Sequence, residues 1–148
     1  MISVDAITGE EHVKLTNKAK TEDVVDYFYY LSLDSKNKGY NKMTIILDNN
    51  ATHKDKMRYM LWLKMRSDKR LEDFRIEYIN TPAYSPDFNL AEYMIHLLRL
   101  KLLHHLPSNL GLDDIEEKIK KYLSQNQLQS IQQIKNTINR IYNLGGII

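Results

Sequence analysis

Residues 43–47 (MTIIL) form an unbroken apolar run that ends at an acid, Asp48. Such a run reads as a strand buried on both faces, as in a parallel sheet. Everything around it is patterned differently. Residues 2–16 alternate apolar and polar positions about a Gly9-Glu10-Glu11 turn, which predicts a β-hairpin. Thr21 suits the N-cap of a helix reaching about residue 32, with Val24, Val25, Phe28 and Leu31 on one face. Its acids Glu22 and Asp23 fall in the first turn, where the helix dipole favours them. Residues 34–42 are polar, contain Gly39 and read as a loop.

Beyond Asp48 the periodicity predicts a basic helix over roughly 54–67. Met57, Met60, Leu61 and the 63–64 pair give its apolar side, and Trp62 is read as core. Residues 74–79 alternate as a second strand. Residues 81–89 hold two of the three prolines and suit neither a helix nor a central strand. A helix then runs from about Asn89 to about His105, and 107–111 breaks it. Amphipathic helices follow over 113–123 and 128–142, the last stopped by Gly145-Gly146. The order β-β-α-β-α-β-α, with helices appended, predicts an α/β fold with a mixed sheet. No internal repeat or interdomain linker interrupts it.

Composition narrows the function. A chain of 148 residues with 43% hydrophobic and 27% charged residues is neither collagen-like nor wholly disordered. It has no cysteine, which excludes disulfides, thiolate metal sites and cysteine nucleophiles. Charge interrupts the apolar stretches well short of the roughly 20 residues that span a bilayer. The acidic start, with Asp5, Glu10 and Glu11, lacks the pattern of a secretory signal, so a soluble cytoplasmic chain without a membrane partner is expected.

Net charge is only +2, but residues 1–34 carry seven acids against three lysines. Residues 54–70 reverse this, with seven cations against Asp55 and Asp68. Such a basic face suits phosphate, or is simply a solvated helix surface.

Two acids stand out by position. Asp48 lies where a strand emerges, at the edge where open α/β sheets build their sites. Glu92 lies near the start of the helix that follows the proline-rich turn. If neighbouring strands bring them together, such carboxylates suit hard cations such as magnesium, and a two-ion site cleaves phosphodiesters. The alternatives are plain: Asp48 caps the following segment, and Glu92 complements its own helix terminus.

The local strings carry a resemblance. LDNNATHK over residues 47–54 resembles the LDNA-x-x-H-K strand end of DDE transposases of the mariner superfamily, particularly its prokaryotic insertion-sequence branch. TPAYSPDFNLAE over 81–92 is similar to that family's LPPYSPDLNPIE signature, and YMIHLLRLKL over 93–102 to its following helix. VDAITGE over 4–10 resembles its hairpin turn. The likeness covers about residues 2–105, in order. Leu90, Ala83 and Ile95 depart from the usual residues, and the interval between the two acids is longer, with an insertion expected around 67–73.

The resemblance implies a ribonuclease H-like mixed sheet flanked by helices, and cleavage and strand transfer of DNA in transposition. Asp48 matches the second acid of the catalytic triad and Glu92 the third, as ligands of two Mg2+ (or Mn2+) ions. Asp5 matches the hairpin turn rather than the first acid, whose central strand has no counterpart here. The expectation is therefore a truncated or frameshifted catalytic domain over 1–111, inactive alone, with a helical extension over 112–148. Its partners would be DNA and an upstream polypeptide or full-length transposase. The rival readings are a non-catalytic nucleic-acid-binding or protein-interaction remnant and one half of a split enzyme.

Asn49, His53, Lys54, Arg99 and Lys101 are the candidate DNA contacts. His53 reads first as a structural helix-start histidine, and Asp87 and Asn89 as caps of the Glu92 helix. The His104-His105 pair lacks an acid at ligand spacing, so it does not suggest zinc. The ten tyrosines are dispersed and predict no stacking platform.

Overall fold

Among the described residues the strands pair two by two. β1 (Ile2–Val4) and β2 (Glu11–Val13) are antiparallel, and β3 (Lys42–Leu47) and β4 (Arg75–Asn80) are parallel. The computed structural model describes residues 1–48, 50–81 and 90–145, and among these each strand has one neighbour, giving two two-stranded sheets instead of a single mixed one. The chain divides into two units, Lys18–Ala83 and Met1–Asn17 with Tyr84–Ile148.

In Lys18–Ala83, α1 (Thr21–Asn37) begins one residue before the sequence suggests, because Lys20 rather than Thr21 is the N-cap. The Lys20 N–H donates to the Asp23 carboxylate at 2.9 Å, an acid placed where the dipole also favours it. The helix continues well past residue 32. Its polar end, which reads as loop, is solvated helix tied by the Lys38–Asp34 ion pair and by Lys36 to Asp73 at 2.8 Å. Polar composition there reflects exposure, not chain reversal. The turn comes at Gly39, whose φ of +91° suits glycine.

β3 leads through α2 (Asp55–Arg66) to β4, with Lys42 opposite Arg75 through Leu47 opposite Asn80. Val24, Val25, Phe28 and Leu31 of α1 are buried, as are Leu47, Met57, Leu61, Met65, Leu71 and Phe74. β3 is not covered on both faces as expected. Lys42 and Thr44 are exposed while Met43 and Ile45 are half-buried, the alternation of a strand in a two-stranded sheet with one helix-covered face. The inward stripe of α2 is Met57, Leu61 and Met65, so Leu63 and Trp62 face solvent, contrary to the sequence reading.

In the other unit the hairpin turn is held by Asp5. Its Oδ1 accepts from the N–H groups of Ile7 at 2.7 Å and Thr8 at 2.8 Å. The turn closes at Gly9, with φ +77°, where an added Cβ would sit 2.6 Å from Gln127 Nε2. α3 (Leu90–Lys101) stops earlier than expected and passes into a 3-10 turn, Leu103–His105. α4 (Leu112–Gln125) and α5 (Ile131–Gly145) follow. α5 starts after 128 because Ser130 and Gln133 form a reciprocal capping box, at 2.8 and 3.2 Å. Leu128 itself is buried with Leu90, Met94, Leu98, Ile119 and Ile134 in one cluster, against which Ile2, Val4 and Val13 pack. Residues 82–89, where the sequence predicts the proline-rich turn with Asp87 and Asn89, lie outside the described residues, as does Gly146. No helix among the described residues is long and apolar enough to cross a membrane.

Candidate active site at the carboxyl end of β3

Asp48 follows Leu47, which is buried and pairs with the last residue of β4, Asn80. The parallel pairing therefore sets Asp48 and Asn80 at the same sheet edge. Asp48 Oδ1 accepts from the Asn50 N–H at 3.0 Å, an Asx-type turn that redirects the chain into a 3-10 turn, Ala51–His53. That turn delivers His53, whose Nδ1 lies 2.6 Å from Asp48 Oδ1. With the carboxylate ionised, the contact places the proton on Nδ1 and leaves Nε2 of a neutral ring as an acceptor.

Asn80 joins the strand end to α2. Its Nδ2 donates to the Asp48 carbonyl at 3.4 Å, and its Oδ1 accepts from the guanidinium of Arg58. That guanidinium also lies 4.6 Å from the centroid of the Tyr78 ring. Burial raises the Tyr78 phenol above its ordinary range, with the Arg58 charge opposing. Asn80 is not among the residues singled out from the sequence, and Arg58 enters there only as one cation of the basic 54–70 stretch. The available signal was positional: Asn80 ends its strand as Asp48 ends the neighbouring one.

The Asp48 side chain is 37% exposed, and no described residue hydrogen-bonds to its Oδ2. A partly exposed carboxylate at a strand end is the donor chemistry a hard divalent cation takes, so Asp48 fits such an ion. Lys54 is exposed at the N-cap of α2, and Asn49 lies outside the described residues.

Glu92, Arg99 and Lys101 belong to the other unit. Leu90, Met94 and Leu98 turn the opposite side of α3 into the core, which leaves Glu92, His96 and Arg99 along an exposed stripe. Asp5 is committed to its turn, as the motif comparison suggests. A cleft of about 510 Å³ between the hairpin turn and the end of α4 is lined by Glu11, Lys120 and Gln127 among others. It contains none of the expected site residues.

A family model described as DDE superfamily endonuclease matches residues 1–110. No curated protein and no solved structure matches the chain. The matched span takes in both the strand end that carries Asp48 and the helix that carries Glu92, and covers most of the sequence. The chain belongs to the DDE superfamily of endonucleases.

Proposed function

We propose that this is the catalytic region of a DDE transposase of the mariner superfamily, from its prokaryotic insertion-sequence branch, acting on DNA in the cytoplasm. In this reading residues 1–111 have a ribonuclease H-like architecture and 112–148 are a helical extension. The observation that carries it is Asp48, partly exposed at the carboxyl end of a parallel strand pair, in a chain matched by the DDE family. In this reading Asp48 and Glu92 would hold Mg2+ or Mn2+. Two such ions, when bound, activate the attacking oxygen and steady the leaving oxygen of a phosphodiester.

The chain's own residues prepare the site. His53 and the Asn50 N–H fix the rotamer of Asp48, and Asn80 with Arg58 anchors the strand end. Asn49, Lys54, Arg99 and Lys101 are the phosphate contacts in this reading, supported by the exposure of Lys54, Arg99 and Lys101.

A second reading, binding without cutting or cutting only with a partner polypeptide, is favoured by one observation. Asp5 Oδ1 accepts from two backbone N–H groups of its own turn, which gives this acid a structural task in the hairpin.

The test pairs Mn2+ binding, followed by electron paramagnetic resonance, with nicking of supercoiled plasmid. The expected result is a bound Mn2+ signal lost in Asp48→Asn and in Glu92→Gln. Unchanged Mn2+ binding in both variants overturns the proposal. Nicking by the chain alone, abolished by Asp48→Asn, decides against the second reading.

A further inference from the structure

The exposed side of α2 carries an arrangement that the site above does not use. Trp62 is the chain's single tryptophan, yet it is 52% exposed, and Tyr59 one turn earlier is 61% exposed. Their rings are near-parallel, 18° apart, with centroids 6.3 Å from each other. The Arg66 guanidinium lies 5.7 Å from the centroid of the Trp62 ring. Lys56, Tyr59, Trp62, Leu63 and Arg66 are all exposed at helical spacing, opposite the buried Met57, Leu61 and Met65.

Two large rings, each more than half exposed, forgo much of the burial that would favour folding. Such a patch marks a surface that meets something. Charge decides what. Of the seven cations in residues 54–70, Arg70 is paired with Asp68 at 2.6 Å, Lys64 with Asp26, and Arg58 lies against Asn80 and Tyr78, while Lys56 and Arg66 are exposed beside the rings. Two copies meeting through this face about a two-fold axis would set like charges against each other. A polyanion with flat faces has the complementary chemistry. In duplex DNA the base faces are stacked on one another, so only unpaired bases present a free face to a ring.

We propose that the Tyr59–Trp62–Arg66 face of α2 is a stacking platform for unpaired bases of DNA, a binding site distinct from the Asp48 strand end. The rings take the base faces, Arg66 adds a cation–π contact, and Lys56 on the same exposed side takes a backbone phosphate. The inference rests on the reading that the chain acts on DNA, but not on metal binding.

Trp62 reports on its own surroundings, because its emission is the only indole signal in the protein. The full chain, in EDTA, is titrated with a short single-stranded oligothymidylate and with a blunt duplex of equal length. The expected result is quenching of Trp62 by the single strand and not by the duplex. By anisotropy of a labelled oligonucleotide, Trp62→Ala and Tyr59→Ala each weaken single-strand binding roughly 5- to 150-fold, while Trp62→Phe retains most of it. Duplex affinity is unchanged in all three. Both side chains are solvent-exposed, and circular dichroism confirms that the variants stay folded.

Absence of quenching at saturating single strand, or unaltered affinity in both alanine variants, overturns the platform. So does a dimer in sedimentation that the same variants dissociate, which would make the face a protein interface. Duplex binding without quenching leaves the transposase reading standing while this one falls. No binding of either DNA removes both. Asp48→Asn retains the quench, which separates this site from the metal site.

Discussion

The Nδ1 atom of His53 stands 2.6 Å from Asp48 Oδ1 across the turn that leaves β3. The contact makes His53 a positioning residue for the acid: it fixes which carboxylate oxygen is engaged. His53→Ala is therefore expected to lower Mn2+ affinity about 10-fold without abolishing it, within the range for residues that orient a metal ligand. Asp48→Asn removes the binding outright. His53→Asn, which retains a donor, restores part of the loss. Titration followed by electron paramagnetic resonance distinguishes the three variants.

Asn80 provides a second support whose removal acts through stability. Its Oδ1 accepts from Arg58, whose Nε is buried and has no acceptor among the described residues. Asn80→Leu takes a further acceptor from a partly buried guanidinium and breaks the link to the Asp48 carbonyl. The expected cost is about 1–3 kcal/mol. Urea denaturation measures it, and a double-mutant cycle with Arg58→Met is expected to be strongly non-additive.

The facing of α2 separates two leucines that look alike in sequence. Leu61 is fully buried, whereas Leu63 is 45% exposed. Leu61→Ala is expected to cost about 2–5 kcal/mol. Leu63→Ala stays within about 0.5 kcal/mol, as surface substitutions do. Equal costs from denaturant melts would contradict the described orientation of the helix.

That contrast shows where sequence reasoning stops. The apolar run of β3 and its terminal acid were legible because they are local, and so were the hairpin, the helices and the two DDE-like strings. The inward stripe of α2 was not. Six of the nine residues from Met57 to Met65 are aliphatic or sulfur-bearing or indole side chains, so more than one stripe satisfies the period. Trp62 was placed in the core by its size, yet the tight stripe of Met57, Leu61 and Met65 fills the inner face without it. Asn80 and Arg58 escaped for a different reason. Their meeting with Asp48 depends on the register of β3 against β4, a non-local pairing that no short window encodes. The strands' division into two small sheets was likewise invisible, because alternation shows which face is covered and not which strand is the neighbour.

Glu116 ties α4 to the hairpin and gives stability a pH dependence. Its carboxylate, only 10% exposed, accepts from the Leu15 N–H at 2.8 Å and pairs with Lys120 at 2.6 Å and Lys14 at 3.6 Å. Burial alone pushes this acid up. The Lys120 hydrogen bond, the Leu15 N–H and the two lysine charges together outweigh it, so the folded-state value falls below the ordinary one. A carboxylate with a depressed folded-state value contributes stability that is fully present above its unfolded value. That stability is lost as pH falls from the ordinary carboxylate range through the folded value. Glu116→Gln is therefore expected to destabilise the chain by roughly 1–3 kcal/mol at neutral pH. The gap between variant and parent closes as the solution is acidified through and below that range. Thermal melts at neutral and acidic pH test the sign directly: a gap that widens on acidification would mean that burial, not the lysine and backbone partners, sets the ionisation of Glu116.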